Sequence, residues 1–353
     1  MTSVRLRLLI LALLPLAVLM PLLLLVAINR WSANYDNLLI TNVASDLRIA
    51  DQYLQRLLTS TGSEVTSLAR SLRFDEVART APADLPSFLD QNRRALGLDF
   101  LYFMPINEAR KRGNDWPVIA TATRGQPATE IDIFTPRDLL ALPDTGVALA
   151  MRARVALVAT RAAQPTTRQT EDRGMVVHSA TLVTTPGAEG VLVGGLLLNR
   201  NLDFIDTINA LVYRDTGRAG DRQGTATLFL EDVRISTNVR LFAGERALGT
   251  RVSAAVRSIV LDQGQTWLDS AFVVNDWYIS AYRPLTDSFG KRVGMLYVGF
   301  LQAPFDAAKR RAYLLVLAAF LVVLAVSAPL FLRLARNIFA PLERMTRTME
   351  EVE

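Results

Sequence analysis

"TATLFLEDVRISTNV", Thr225 to Val239, decides the fold. Two runs of apolar and β-branched residues, 225–230 and 233–239, flank Glu231 and Asp232, the pattern of a β-hairpin closed by a two-residue turn. Downstream, Ser253–Leu261 has helical spacing with Ser253 placed to cap it. Three more strands follow, "WLDSAFVV" (267–274), "WYISAYRPL" (277–285) and "RVGMLYVGFL" (292–301), joined by turns at "ND" and "DSFG". A hairpin, a helix and a three-stranded meander make an antiparallel sheet with helices on one face. In this block Arg234, Asn238, Trp277, Tyr278 and Tyr282 cluster. Strand alternation puts Trp277, Ile279 and Ala281 on one face and Tyr278, Ser280 and Tyr282 on the other. Both sets cannot line one pocket, so structural roles are expected of them.

Upstream, "RDTGRAGDRQG" (214–224) is rich in glycine and charge and is the natural linker. Before it stands a helix, Leu202–Val212, and before that a first block of predicted strands: "DFLYFMPI" (99–106), "WPVIATAT" (116–123), "ARVALVAT" (153–160), "MVVHSATLV" (175–183) and "GVLVGGLLL" (190–198). From Trp31 to Leu72 there is no proline, and the one glycine is Gly62. Leu39, Val43, Leu47, Ala50, Leu54 and Leu57 recur there at helical spacing, a core or dimer stripe on one long amphipathic helix. The fold expected is α+β: two PAS-like antiparallel modules on a long N-terminal helix.

Half of the 353 residues are hydrophobic, and the excess sits in two uncharged runs, Leu8–Ile28 and Ala312–Leu332. Each approaches the roughly 20 residues that cross a bilayer as a helix. The first is longer than a signal-peptide core, and Arg30 and Trp31 stand where a cleavage site needs small residues. Arg5 and Arg7 before the first run, and Arg333, Arg336, Arg344 and Arg347 after the second, put both termini inside, although "KRR" (309–311) sits on the outer side. The expected layout is a cytoplasmic N-terminus (1–7), a first span (8–28), the long helix with a membrane-distal module (29–213), the linker (214–224), a membrane-proximal module (225–305), a juxtamembrane stretch (306–311), a second span (312–332) and a terminal helix (333–353). In that helix Ile338, Leu342, Met345, Met349 and Val352 alternate steps of four and three, a coiled-coil seam.

Several function classes are set aside. The net charge of +5 is spread along the chain without a basic run, so nucleic acid is not an expected partner. With no cysteine and one histidine, no thiolate metal site, disulfide framework or H-E-x-x-H pattern exists, and no metal or cofactor is expected. No catalytic residues and no phosphate loop are found; "GVLVGG" precedes no lysine and reads as packed strand. Ligand binding remains. A polar solute needs fixed donors on an apolar wall, and an arginine fork suits a carboxylate. Tyr102, Arg161, Arg173 and His178 are the candidates in the first block, with two alternatives open: Arg173 as a partner of Glu171 or Asp172, and His178 as a satisfied core histidine.

"LFLEDVRISTNVRLFAGERALGTRVSAAV", "FVVNDWYISAY" and "GKRVGMLYVGFL" resemble the Cache sensor superfamily. The pair of blocks resembles the double Cache type of bacterial chemoreceptors and sensor histidine kinases. "EDRGMVVHSATLV" and "VGGLLLNRNLDFIDTI" are similar to the outer domains of sensor kinases of the nitrogen-regulation class. "IFAPLERM" resembles the start of a HAMP linker, which would make Pro341, Leu342 and Met345 signal-relay residues. The resemblance implies a homodimeric two-pass receptor of the bacterial inner membrane with its sensor in the periplasm. It also implies a small carboxylate or amino acid as ligand in the membrane-distal module. Output would pass through a histidine kinase beyond Glu353 to a cytoplasmic response regulator. A chemotaxis receptor is the alternative output, and a membrane-anchored scaffold that senses nothing is a second alternative.

Overall fold

The computed structural model describes residues 4–185, 188–213, 224–241 and 244–350. The expected linker, apart from Gly224, lies outside the described residues, as do Val352 of the seam and the first three residues of the expected cytoplasmic N-terminus. The side chains of Pro341, Leu342 and Met345 also lie outside them, and their backbone is helical. The chain divides into two units, one of Met1–Leu39 with Ala303–Glu353 and one of Ile40–Gln302.

In the larger unit the chain runs through the end of α1 (Val4–Ala69), then α2 (Leu72–Thr80), α3 (Leu85–Ala95), β1 (Phe100–Pro105), α4 (Ile106–Arg112), α5 (Pro117–Thr123), β2 (Ala128–Phe134), α6 (Pro136–Leu140) and α7 (Gly146–Ala153). Short strands β3 (Val155–Ala156) and β4 (Thr170–Glu171) pair, and β5 (Gly174–Thr185) and β6 (Ala188–Leu197) follow. The first sheet is antiparallel, in the order β1-β6-β5-β2. Its two central strands are largely buried on both faces, because both faces are covered. Val65, Leu68 and Ala69 of α1, with Phe74 and Leu89, pack on Leu101, Val183 and Leu192. On the other face Val118, Ile119, Leu139 and Leu149 pack on Phe100, Val176, Val193 and Leu197. Burying each such side chain contributes about 1.5–3 kcal/mol. Helices on both faces differ from the single covered face expected.

The second sheet is built from α8 (Leu202–Val212), β7 (Gly224–Leu230), β8 (Val233–Thr237), α9 (Ala254–Arg257), β9 (Trp267–Val273), β10 (Asp276–Thr286) and β11 (Arg292–Leu301). Its order is β8-β7-β11-β10-β9, so the opening hairpin is zipped onto the last strand of the meander. The hairpin turn falls at Glu231 and Asp232, Ser253 caps α9 by accepting from Val256 N, and α8 has the bounds expected of it. Phe204, Ile205 and Ile208 of α8 are buried, and Phe204 stacks on Tyr53 of α1 at 5.5 Å.

Three expectations are corrected. "WPVIATAT" is helix α5: Pro117 sits at its first turn, where a missing N–H costs nothing, and Val118, Ile119 and Ala122 share one buried face. The edge strand is β2, "ATEIDIF", twelve residues after Trp116. "ARVALVAT" keeps only two strand residues, because its backbone turns outward to bond the second module: Val158 N donates to Gly249 O at 2.9 Å. In the α1 stripe Leu58 is buried and Leu57 only partly so, and with Leu47, Ala50 and Leu54 also buried by the chain itself the stripe is a core face.

In the smaller unit, among the described residues, Ala303–Ser327 of α10 (Ala303–Glu350) is the one segment long and apolar enough to cross a membrane by length and composition. Within the expected first span, Val18, Leu19, Leu22, Leu23, Leu25 and Val26 of α1 are exposed. Trp31 stacks on Tyr35 at 5.4 Å and meets Tyr313 edge-on at 6.0 Å, and Lys309 pairs with Asp36.

Candidate functional site

A cavity of about 240 Å³ opens on the α4–α7 side of the first sheet. His178, in mid-β5, forms its inner wall and is 1% exposed. Its cross-strand partner on β2 is Glu130, which places Asp132 one diagonal step away on the same face. Asp132 Oδ2 lies 2.8 Å from His178 Nδ1. A carboxylate only accepts, so Nδ1–H donates, and Nε2 remains buried without a partner among the described residues. Two rings hold the imidazole edge-on: Phe134 at 5.1 Å and Trp116 at 5.6 Å, themselves 4.8 Å apart.

Trp116 is the residue before Pro117 and caps α5 in extended backbone, as a residue preceding proline does. Thr135 and Asp138 close a capping box that starts α6 and sets Asp138 beside the cavity. Arg112, at the end of α4, and Glu108 one turn earlier complete the polar rim. Among the described residues no carboxylate pairs with Arg112. Burial is the main cause that pushes the Tyr102 phenol up to about 12; Arg112 opposes it, and Glu108 and Asp138 add to it. Tyr102 therefore stays a neutral hydroxyl at the wall. Chemically the cavity offers a cationic fork, two carboxylates, a phenol and an aromatic box over Met104 and Ile119.

Of the four candidate residues, Tyr102 and His178 come together in this cavity and the two arginines do not. Arg161 is exposed in the loop that docks on the second module. Arg173 is clamped: Nε and Nη2 each donate to Glu171 at 2.8 Å, and Nη1 donates to Glu231 Oε1 at 2.9 Å. Glu231 makes that contact from the β7–β8 turn with φ 51°, a strained conformation for a non-glycine residue. Burial raises Glu171, but the hydrogen bonds and charge of Arg173 and Arg168 outweigh it and hold the carboxyl below its ordinary value. Arg173 is thus a clamp between modules. Trp116, Asp132, Phe134, Arg112, Glu108 and Asp138 escaped the sequence reading. The T-x-x-D box at 135–138 was a usable signal; reading 116–123 as a strand hid Trp116.

The second module touches Trp116 of the cavity wall and Asp132 behind His178. Ser288, in the β10–β11 turn, donates Oγ–H to Asp132 Oδ1 at 2.6 Å, and its N–H to Ile131 O at 3.1 Å. Phe289 lies 6.2 Å from Trp116. In the second sheet Asn238 is structural, accepting from Ala226 N at 2.7 Å, and Trp277 is exposed. No group of three or more His, Asp or Glu able to hold a metal occurs among the described residues.

Residues 196–312, which contain α8 and the whole second sheet, match the family model of single Cache domain 3. This segment is a Cache domain. Its boundaries take in the hairpin from which the fold was read, and the Cache sensor resemblance holds there. Among solved structures the chain is similar to the periplasmic domain of Vibrio cholerae LuxQ, at 12% identity over 73% of this chain and 98% of that one, TM-score 0.38. It is similar also to the ligand-binding domain of the Pseudomonas aeruginosa PAO1 amino acid chemoreceptor PctB, in complex with L-Arg, at 13% identity over 77% and 97%, TM-score 0.32. The periplasmic sensory domain of the Campylobacter jejuni chemoreceptor Tlp1 matches at 9% over 76% and 95%, TM-score 0.32. No curated protein matches the chain.

Proposed function

We propose that the chain is the sensing half of a two-pass receptor of the bacterial inner membrane, and that the cavity at His178 receives a small zwitterion, an amino acid. The cavity carries this reading. Arg112, with no carboxylate partner among the described residues, is a fork suited to an α-carboxylate, Glu108 and Asp138 suit an ammonium group, and Trp116, Phe134 and Tyr102 enclose an apolar or cationic side chain. A buried histidine with one nitrogen fixed by Asp132 and the other unsatisfied supplies a further oriented contact.

Occupancy reaches the second module through Asp132 and Trp116, which touch Ser288 and Phe289. Strand β11 is one residue from α10, so a shift of the β10–β11 hairpin bears on the helix that carries the second span. In a homodimer that helix would repack the HAMP seam at Pro341, Leu342 and Met345 and switch a histidine kinase acting on a response regulator. The test is a thermal-shift screen of amino acids and organic acids on the full chain in nanodiscs, since binding to the native state raises its melting temperature. Hits should be lost in Arg112→Ala and His178→Ala. Hits that survive both substitutions would overturn the site, and no hit at all would favour a scaffold.

A further inference from the structure

A second cavity lies at the free edge of the first sheet. Strand β1 pairs with β6 on one side only, and alternation sends Leu101 and Phe103 to the α1 face and Tyr102 to the face of the His178 cavity. A cavity of about 320 Å³ touches all three, so it wraps around the unpaired edge, between α3 and the turn from α6 to α7. Its floor is apolar: Leu89 and Leu101 are buried, and Leu85 and Phe103 half-buried. Its rim carries four exposed prolines, Pro82, Pro86, Pro105 and Pro143. Proline has a fixed φ and no N–H, so this rim is stiff and offers no backbone donor at those positions.

The charges along the wall are already engaged. Arg93 donates Nε and Nη2 to Asp90 Oδ1 at 3.1 and 2.8 Å and Nη1 to Leu98 O at 3.2 Å, and Asp90 Oδ2 accepts from Arg94 at 2.6 Å. Asp144 stands exposed at the mouth. An anion entering here would meet that carboxylate and no unengaged cation, and an unpaired charge is costly on an apolar wall. The Tyr102 hydroxyl feels Arg112, Glu108 and Asp138, so its polar end belongs to the His178 cavity and its ring is left to this one. The mouth is also strained. Asp144 has φ 59°, and the Thr145 N–H donates to Pro143 O at 2.6 Å, a γ-turn of the rare hand. Strain of this kind gathers at ligand clamps.

We infer that this edge cavity binds a neutral aromatic solute of one or two fused rings, at a site separate from the cavity at His178. Volume sets the size: a cavity of roughly 150 Å³ lined by aliphatic and phenyl groups takes up benzene, and this one is about twice as large. The engaged ion pairs and the apolar floor set the polarity, and the stiff rim lowers the ordering cost of binding. A peptide strand added to the edge fits less well, because Pro105 interrupts the row of donors and α3 packs over β1. Tyr102 and Pro143 line both cavities, so two occupants would share a wall. The binding claim stands whatever occupies the cavity at His178.

The test uses the full chain in nanodiscs, melted against indole, with benzoate as the anionic counterpart. Wild type should melt higher in indole with a saturable dose dependence, and benzoate should not raise it. Leu85→Trp and Thr145→Trp each place an indole of the chain itself in the cavity and should weaken half-saturation at least tenfold. Arg112→Ala, which removes the fork of the other cavity, should leave indole half-saturation within twofold even where it abolishes amino-acid hits. A wild type indifferent to indole, a benzoate response as large as that to indole, or tryptophan variants that respond like wild type, as they would to indole dissolved in the lipid, overturns the proposal. An indole response lost in Arg112→Ala moves the solute to the His178 cavity and overturns it as well. If one tryptophan variant does not fold the other decides, and if neither folds the benzoate and Arg112→Ala comparisons decide.

Discussion

Ser288 gives its hydroxyl proton to Asp132 across 156 residues of chain, at 2.6 Å, while the other oxygen of Asp132 takes the Nδ1 proton of His178 at 2.8 Å. One fully buried carboxylate thus joins a residue of the cavity wall, His178, to the turn of another sheet. With both oxygens engaged it can shift on one side only by disturbing the other. Ser288→Ala should destabilise the larger unit by about 1–3 kcal/mol in denaturant unfolding, since a buried charged acceptor loses its donor. A change within error would mean that the turn is only adjacent to the site.

The two kinds of arginine separate cleanly. Arg112→Ala should weaken binding of an amino-acid ligand by roughly tenfold to a hundredfold and leave the melting temperature of the free protein almost unchanged. Arg173→Ala should do the reverse, losing about 1.5–3 kcal/mol of stability as Glu171 and Glu231 lose one of their two arginine partners and keep only Arg168. Calorimetric titration alongside thermal melting distinguishes them; equal affinity loss in both would place Arg173 in the site after all.

Acid should loosen the clamp. Glu171 and Glu231 have folded pKa values below their ordinary 4.5: burial raises each, and Arg173 and Arg168 more than reverse it. A carboxylate depressed in the folded state contributes stability above its unfolded value and loses it as pH falls through the folded one. The contribution is therefore complete at neutral pH and declines below about 4.5. Glu171→Gln should lower stability at pH 7 and converge on wild type at low pH. Parallel pH curves would show that Glu171 has no linked charge.

Strand β6 should reject a single methyl. A Cβ at Gly195 would stand 1.8 Å from Val177 O on the neighbouring strand, so Gly195→Ala should cost more than about 4 kcal/mol and abolish soluble folding. Gly125→Ala, at φ +87° with open space around it, should cost only about 1–2 kcal/mol. Expression yield and melting of the two variants provide the comparison.

At the far end of α10, charged substitutions at Leu342 and Met345 in the full receptor should uncouple output while ligand affinity stays within twofold, about 0.4 kcal/mol. Affinity lost in parallel with output would give that helix a role other than relay.

What could be read from the amino-acid order was local. The 225–239 hairpin, α8, the Ser253 cap and the meander are set by alternation, turn residues and capping within a few positions of one another. Short apolar runs such as 116–123 and 153–160 are ambiguous by period alone; the first became helix and the second kept only Val155–Ala156 as strand once tertiary contacts were satisfied. Tyr102 and His178 were visible because strands rich in Val and Leu make a polar residue conspicuous. For Arg173 the pairing with Glu171 was one of two open readings, but its bond to Glu231 was out of reach, because that carboxylate comes from 58 residues downstream. Arg112 sits in a charged helix and differs from Lys111 and Arg110 only by where α4 points it.

The Asp287–Lys291 turn closes on itself, with the Asp287 carboxylate accepting from the backbone N–H groups of Phe289 and Lys291. For anyone building hybrid receptors, this tight knuckle redraws the seam. A splice at 213–224 that imports a foreign second module would bring a stranger's loop to the rim of the first module's cavity, where Phe289 meets Trp116. Chimeras should graft Asp287–Lys291 from the same parent as Asp132 and Trp116, and a mismatch at that knuckle would be read as altered ligand specificity although no residue of the first module had changed.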